Sequence, residues 1–211
     1  MGNNSWDPFA DYPELKEEYL STVADIIRQA RTEALKRYDA AHGDDSWSHG
    51  VRAFAWSKFA LTEGTKEYPW LTSLDAIPRL RATFAISGRP FRFYRGMPEE
   101  PPGRYLVRTF AEIRQFQFVL KFDGVHSIDK ILRVAVETNE QGETTDVTLV
   151  EVDKRGRVTN SYLIPLAVAK TNVVPAQAPA VDVQPPMVVP KKSEQQPQKK
   201  AAEQANKKKN G

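Results

Sequence analysis

The hydrophobic repeat of this chain changes period once, near residue 70, and that change sets the order of its layers. Before it, Leu15, Tyr19, Val23, Ile26, Ile27, Ala30, Ala34 and Tyr38 recur at helical spacing, with Glu, Lys and Arg between them. Asp11 is the expected N-cap of this helix, Pro13 suits its first turn, and Gly43 can end it. A second helix, WSHGVRAFAWSKFAL, starts behind Asp44, Asp45 or Ser46. Its apolar residues Trp47, Val51, Phe54, Trp56 and Phe59 spread widely around the axis. Such a helix is buried on more than one side or offers a face to a partner.

Beyond residue 70 the period is 2. ATFAIS and PFRFYR flank Gly88-Arg89 as a hairpin, and Pro90 moves the second strand toward an edge or a strand start. RYLVRTF and then QFQFVLKF read as further strands, with Phe116, Phe118, Leu120 and Phe122 alternating as a core face. ILRVAVET, TDVTLVEVD and RVTNSYLIPL complete a meander joined by NEQGE and DKRG. Short connections imply antiparallel neighbours. The expected fold class is α+β, with two N-terminal helices followed by a curved antiparallel sheet of about six or seven strands. The expected organisation is an N-terminal arm over 1–10, one domain over 11–172, and a disordered C-terminal tail over 173–211.

The tail separates by composition. VPAQAPAVDVQPPMVVP has no period and frequent proline, as in an extended linker. KKSEQQPQKKAAEQANKKKNG has no aromatic residue and too little apolar surface to fold. The net charge of +3 belongs to this segment. Seven lysines against Asp182, Glu194 and Glu203 give it +4, which leaves the first 172 residues at −1.

Several function classes are excluded or disfavoured. There are no cysteines, so disulfides, thiolate metal sites and cysteine nucleophiles are ruled out. No apolar stretch reaches membrane-spanning length, the acidic N-terminus lacks a signal pattern, and Trp6 stands where a myristoylation signal wants Ser or Thr. A cytoplasmic protein without membrane contact is the expectation. His42, Asp44, Asp45 and His49 are metal-ligand types, but their spacing matches no known site, and the acids suit helix capping. Ser48 and His49 are adjacent and do not face each other on a helix. Asp146, Glu151, Asp153 and Lys154 share residue types with metal-dependent nucleases, but Val152 occupies the place an acid would need. No phosphate-cradling glycine loop is present. No catalytic set, metal or cofactor is assigned, and an enzyme is not the favoured class.

The remaining signal is RPFRFYRGMPEEPPGRYL. Alternation places Phe91 and Phe93 on one face of a strand, and Arg92 and Tyr94 on the other. Arg95 and Arg104 flank the acidic turn. The expected function is a non-catalytic binding or accessory protein whose partner is nucleic acid, as single-stranded DNA or RNA. Candidate contacts are Arg92, Tyr94, Arg95 and Arg104 on the hairpin, and Lys191, Lys192, Lys199, Lys200, Lys207, Lys208 and Lys209 on the tail. The alternative is a protein–protein adaptor or structural subunit, docking through the apolar second helix and VDVQPPMVVP. A metal-dependent hydrolase is the third reading.

Overall fold

The computed structural model describes residues 6–75, 82–123 and 130–166, without the side chains of 118–123. All of them belong to one compact unit, Met1–Lys170. Its elements are α1 (Pro8–Asp11), α2 (Glu17–Lys36), α3 (Ser46–Glu67), β1 (Leu71–Ser73), β2 (Phe84–Ile86), β3 (Arg89–Arg95), α4 (Gly103–Leu106), α5 (Phe110–Asp123), β4 (Ile131–Thr138), β5 (Thr144–Val152) and β6 (Val158–Leu163). The helices come first, then a six-stranded, mostly antiparallel open sheet ordered β1 to β6, so the architecture is α+β.

The two long helices form for the reasons their patterns give. On α2, Leu20, Val23, Ala24, Ile27, Arg31 and Ala34 are buried at three- and four-residue intervals, and Glu17 and Glu18 sit at the positive end of the helix dipole. Asp11 does not cap it. Asp11 ends the short α1 and accepts a hydrogen bond from Nε1 of Trp6 at 2.8 Å, while the α2 N-cap position is Lys16, without a side-chain cap. On α3, Asp45 and Ser48 form a reciprocal capping box, and His49, Ala53, Ser57, Leu61 and Gly64 make the buried stripe.

The β2–β3 hairpin turns at Ser87 and Gly88, with φ of 46° and 85°, one residue earlier than the sequence suggests. Two left-handed residues give the hairpin a turn whose twist matches its strands. After β3 the chain departs from expectation. RYLVRTF and QFQFVLKF are not strands. They contribute α4 and α5, and this helical crossover makes β3 and β4 parallel neighbours at the centre of the sheet, with Phe91 opposite Leu132 and Arg95 opposite Val136. The cause is local. Thr109 and Glu112 form a capping box, in which the Glu112 carboxylate accepts from Thr109 N at 2.6 Å and the Thr109 hydroxyl accepts from Glu112 N at 3.2 Å. One turn on, Phe116 is buried beside Glu112, while Ile113, Arg114 and Gln117 are exposed, which is a period of 3.6. Phe118 and Phe122, expected in the core, have side chains outside the described residues.

The sheet therefore has two covered faces. Phe84, Phe91, Phe93, Leu132, Val134 and Leu149 pack with Leu20, Val23 and Ile27 of α2 and Leu61 of α3. Tyr94, Ile131, Ala135, Val150 and Val152 pack with Tyr105 of α4 and Phe116 of α5. Polar groups pin both sides. Buried Glu151 accepts from the Tyr12 hydroxyl, Thr159, Asn160 and Lys130. Buried Arg133 pairs with buried Glu112 and donates to Tyr105 O at 2.6 Å. Among the described residues, no helix is long and apolar enough to cross a membrane.

Candidate anion-binding site

Three elements bring basic side chains to one place, a turn closes beside them, and no carboxylate among the described residues pairs with the two arginines. Arg31 projects from the buried side of α2, His49 stands in the first turn of α3, Arg95 ends β3, and the turn between β4 and β5 closes beside them. Odd-numbered residues of β3 face the long helices, so Arg95 points toward α3, with its Nη1 3.9 Å from where a Cβ on Gly50 would stand. Arg31 donates through Nε to the Thr144 hydroxyl at 3.2 Å.

The site is electrostatically open. Arg31 is 4% exposed, and its buried Nη2 has no hydrogen-bond partner among the described residues. His49 is 5% exposed, and both of its ring nitrogens are buried and unpartnered. No carboxylate among the described residues forms an ion pair with Arg31 or Arg95. Arg52, the remaining cation nearby, is already engaged. It grips Asp44 with Nη2 at 2.7 and 2.9 Å and donates to Arg37 O at 2.8 Å. That grip, with a further hydrogen bond from the Asp39 backbone, holds the Asp44 carboxyl below the usual aspartate range.

The ionisation of the group follows from this imbalance. Burial, then the neighbouring Arg95, pulls the Arg31 guanidinium down to about 10. Burial lowers the His49 imidazole too, followed by the charges of Arg31, Arg95 and Arg52, with only Asp44 opposing. Tyr38, 42% exposed, sets its ring edgewise to His49 at 6.0 Å. A buried charge without a partner costs several kcal/mol, and an oxyanion supplies the missing acceptor. Guanidinium forks match phosphate geometry, and the N-terminus of the 22-residue α3 adds a favourable dipole.

The other residues singled out by sequence are distributed differently. Arg92 and Tyr94 do share a face, but it is the covered second face of the sheet, at 4% and 1% exposure. Arg92 lies over the Tyr105 ring at 4.5 Å and donates to Arg104 O at 3.1 Å, and the Tyr94 hydroxyl donates to Met97 O at 3.2 Å. They are therefore not presented to solvent as a stacking platform. Arg104 is exposed and reaches back over Tyr105 at 5.1 Å. Of the four hairpin residues only Arg95 joins the cluster. The seven tail lysines lie outside the described residues.

The HGDDSWSHG segment is occupied otherwise. Asp45 caps α3, Asp44 holds Arg52, and the His42 ring meets Asp39 at 2.8 Å. The described residues contain no group of three His, Asp or Glu that could hold a metal ion. Sequence reasoning missed Arg31 because an arginine three residues after Arg28 looks like ordinary helix surface, although it occupies the apolar stripe of α2. Its position in phase with Leu20, Val23, Ile27 and Ala34 was the available signal. Comparison with family models, with curated proteins and with solved structures returned no match.

Proposed function

We propose that the protein is a non-catalytic accessory protein that binds nucleic acid through its phosphates, with the Arg31–His49–Arg95 cluster receiving one phosphodiester group. The observation that carries this reading is the pair of buried basic side chains, Arg31 and His49, in which Arg31 Nη2 and both His49 ring nitrogens have no hydrogen-bond partner among the described residues. The lysine-rich sequence from Lys191 onward supports it, because lysines near a polyanion add counterion-release affinity without needing a fold. The near-neutral charge of the first 172 residues supports a local contact over a broad electrostatic surface.

The test is binding of a fluorescent single strand across a salt series to the full chain, to a chain lacking 191–211, and to Arg31→Met and Arg95→Ala. The tail deletion removes seven lysines and two glutamates and should flatten the salt dependence. Arg95→Ala, at an exposed position, should weaken binding at every salt concentration without lowering stability. No binding by the full chain at low salt sinks the proposal.

A further inference from the structure

We propose that the exposed side of α3 is a track for the bases of a single strand whose phosphate is held at the cationic cluster, with Trp47 and Phe59 as stacking rings. This rests on the phosphate-binding reading above and narrows it to single-stranded nucleic acid. Trp47, Val51, Ala55 and Phe59 recur at four-residue spacing and form one stripe along the helix. All four are exposed, Trp47 at 74% and Phe59 at 66%. Soluble proteins rarely leave a contiguous apolar stripe open without a ligand for it.

Charge selects the occupant. From Ser46 to Thr62 the helix carries no carboxylate, and its Arg52 is held by Asp44, so the cation that accompanies the apolar stripe is the exposed Arg95, which forms no ion pair among the described residues. A single strand has the complementary pair of properties, an anionic backbone and unpaired aromatic faces. A duplex hides those faces, and a basic peptide helix offers no anion. Position joins the stripe to the cluster. Gly50 is three residues from Trp47 and so is its neighbour on the helix surface. The Arg95 guanidinium lies against it, with Nη1 3.9 Å from where a Cβ on Gly50 would stand, an ordinary contact distance. Arg95 therefore lies between the buried Arg31 and His49 and the exposed tryptophan. From Trp47 to Phe59 the helix rises about 18 Å, enough for several stacked bases.

The experiment compares three probes of equal length on the full chain: oligodeoxythymidine, a strand of abasic nucleotides, and a duplex. Each is titrated against the wild type, Trp47→Ala/Phe59→Ala and Trp47→Phe. Both positions are exposed, so the variants should melt with the wild type. Oligodeoxythymidine should bind roughly ten-fold or more tighter than the abasic strand, as expected when at least one base stacks. The double variant should lose that preference and keep its affinity for the abasic strand. Trp47→Phe should keep the preference but lose the quenching of tryptophan fluorescence. Equal affinity for the two single strands, or a preference that survives in the double variant, overturns the track and leaves the phosphate site standing. Failure of both strands to bind removes the phosphate reading as well. Partition of the wild type, but not the double variant, onto phosphatidylserine vesicles with no base preference assigns the stripe to a membrane surface and overturns the proposal.

Discussion

Gly142, at φ +85°, stands so close to His49 that a Cβ there would lie 3.1 Å from the ring Nε2. The β4–β5 turn is thus the wall behind the imidazole, and two requirements meet at this glycine. A left-handed backbone is strained for any residue with a side chain, and the space is already filled.

Gly142→Ala should destabilise the fold by about 1–2 kcal/mol from backbone conformation alone. The added methyl must also displace the His49 ring. A lower denaturant midpoint together with weakened phosphate binding is the expected result, and an unchanged midpoint would refute the turn geometry.

His49 should make stability acid-sensitive. Its folded pKa is lowered from 6.5 by burial and by Arg31, Arg95 and Arg52, with Asp44 opposing. Below pH 6.5 the unfolded chain therefore binds a proton that the folded chain refuses. The contribution is complete above about pH 6.5, where the unfolded histidine is neutral, and is lost as pH falls toward the folded value. Urea midpoints measured between pH 7.5 and 5 should fall for the wild type and fall less for His49→Gln. Phosphate bound at the cluster should move the His49 NMR titration upward.

The Glu112–Arg133 pair links α5 to β4 in the covered second face, at 0% exposure for both residues. Glu112→Leu leaves Arg133 charged and unmatched, and should cost about 3–5 kcal/mol. Replacing both, as Glu112→Leu/Arg133→Met, should recover a large share of that loss. Chemical denaturation of the single and double variants reads the coupling, and a double variant no more stable than Glu112→Leu contradicts it.

Tyr94 separates interior from surface. Tyr94→Ala should lower stability by about 3–5 kcal/mol, as for a large aromatic removed from a core. Tyr94→Phe, which removes only the hydroxyl bonded to Met97 O, should cost about 1 kcal/mol. A Tyr94→Ala chain that melts with the wild type and loses single-strand binding would place this ring on the surface instead.

The parts of the fold legible in the sequence are those where one period dominates. The helices α2 and α3, the β2–β3 hairpin and the C-terminal meander all follow from spacing that has no competing pattern. The segment after β3 carries two patterns at once. Phe116, Phe118 and Phe122 alternate like a strand, while Thr109, Glu112 and Phe116 give a capped helix. The capping box decides, since it satisfies two backbone donors that a strand start would leave to other partners. Alternation also placed Arg92 and Tyr94 correctly on a common face. It could not show that this face is covered, because α4 and α5, which cover it, were read as strands. The cation cluster needed the third dimension, since Arg31, His49 and Arg95 come from three different elements.

The parallel seam between β3 and β4 pairs Phe91 with Leu132 across the whole α4–α5 crossover. Every other strand pair in the sheet joins near neighbours in the chain, so the centre of the sheet is its most non-local contact. Contacts of this kind form slowly, because the intervening loop must close before they reward it. During synthesis the hairpin leaves the ribosome with one side of β3, from Phe91 to Arg95, bare until β4 follows. A bare strand edge is a template for pairing with another copy. Pulsed hydrogen exchange during refolding should accordingly protect the amides of the β2–β3 turn and the β4–β5 meander before those of the seam, making the middle of this protein the last part to become native.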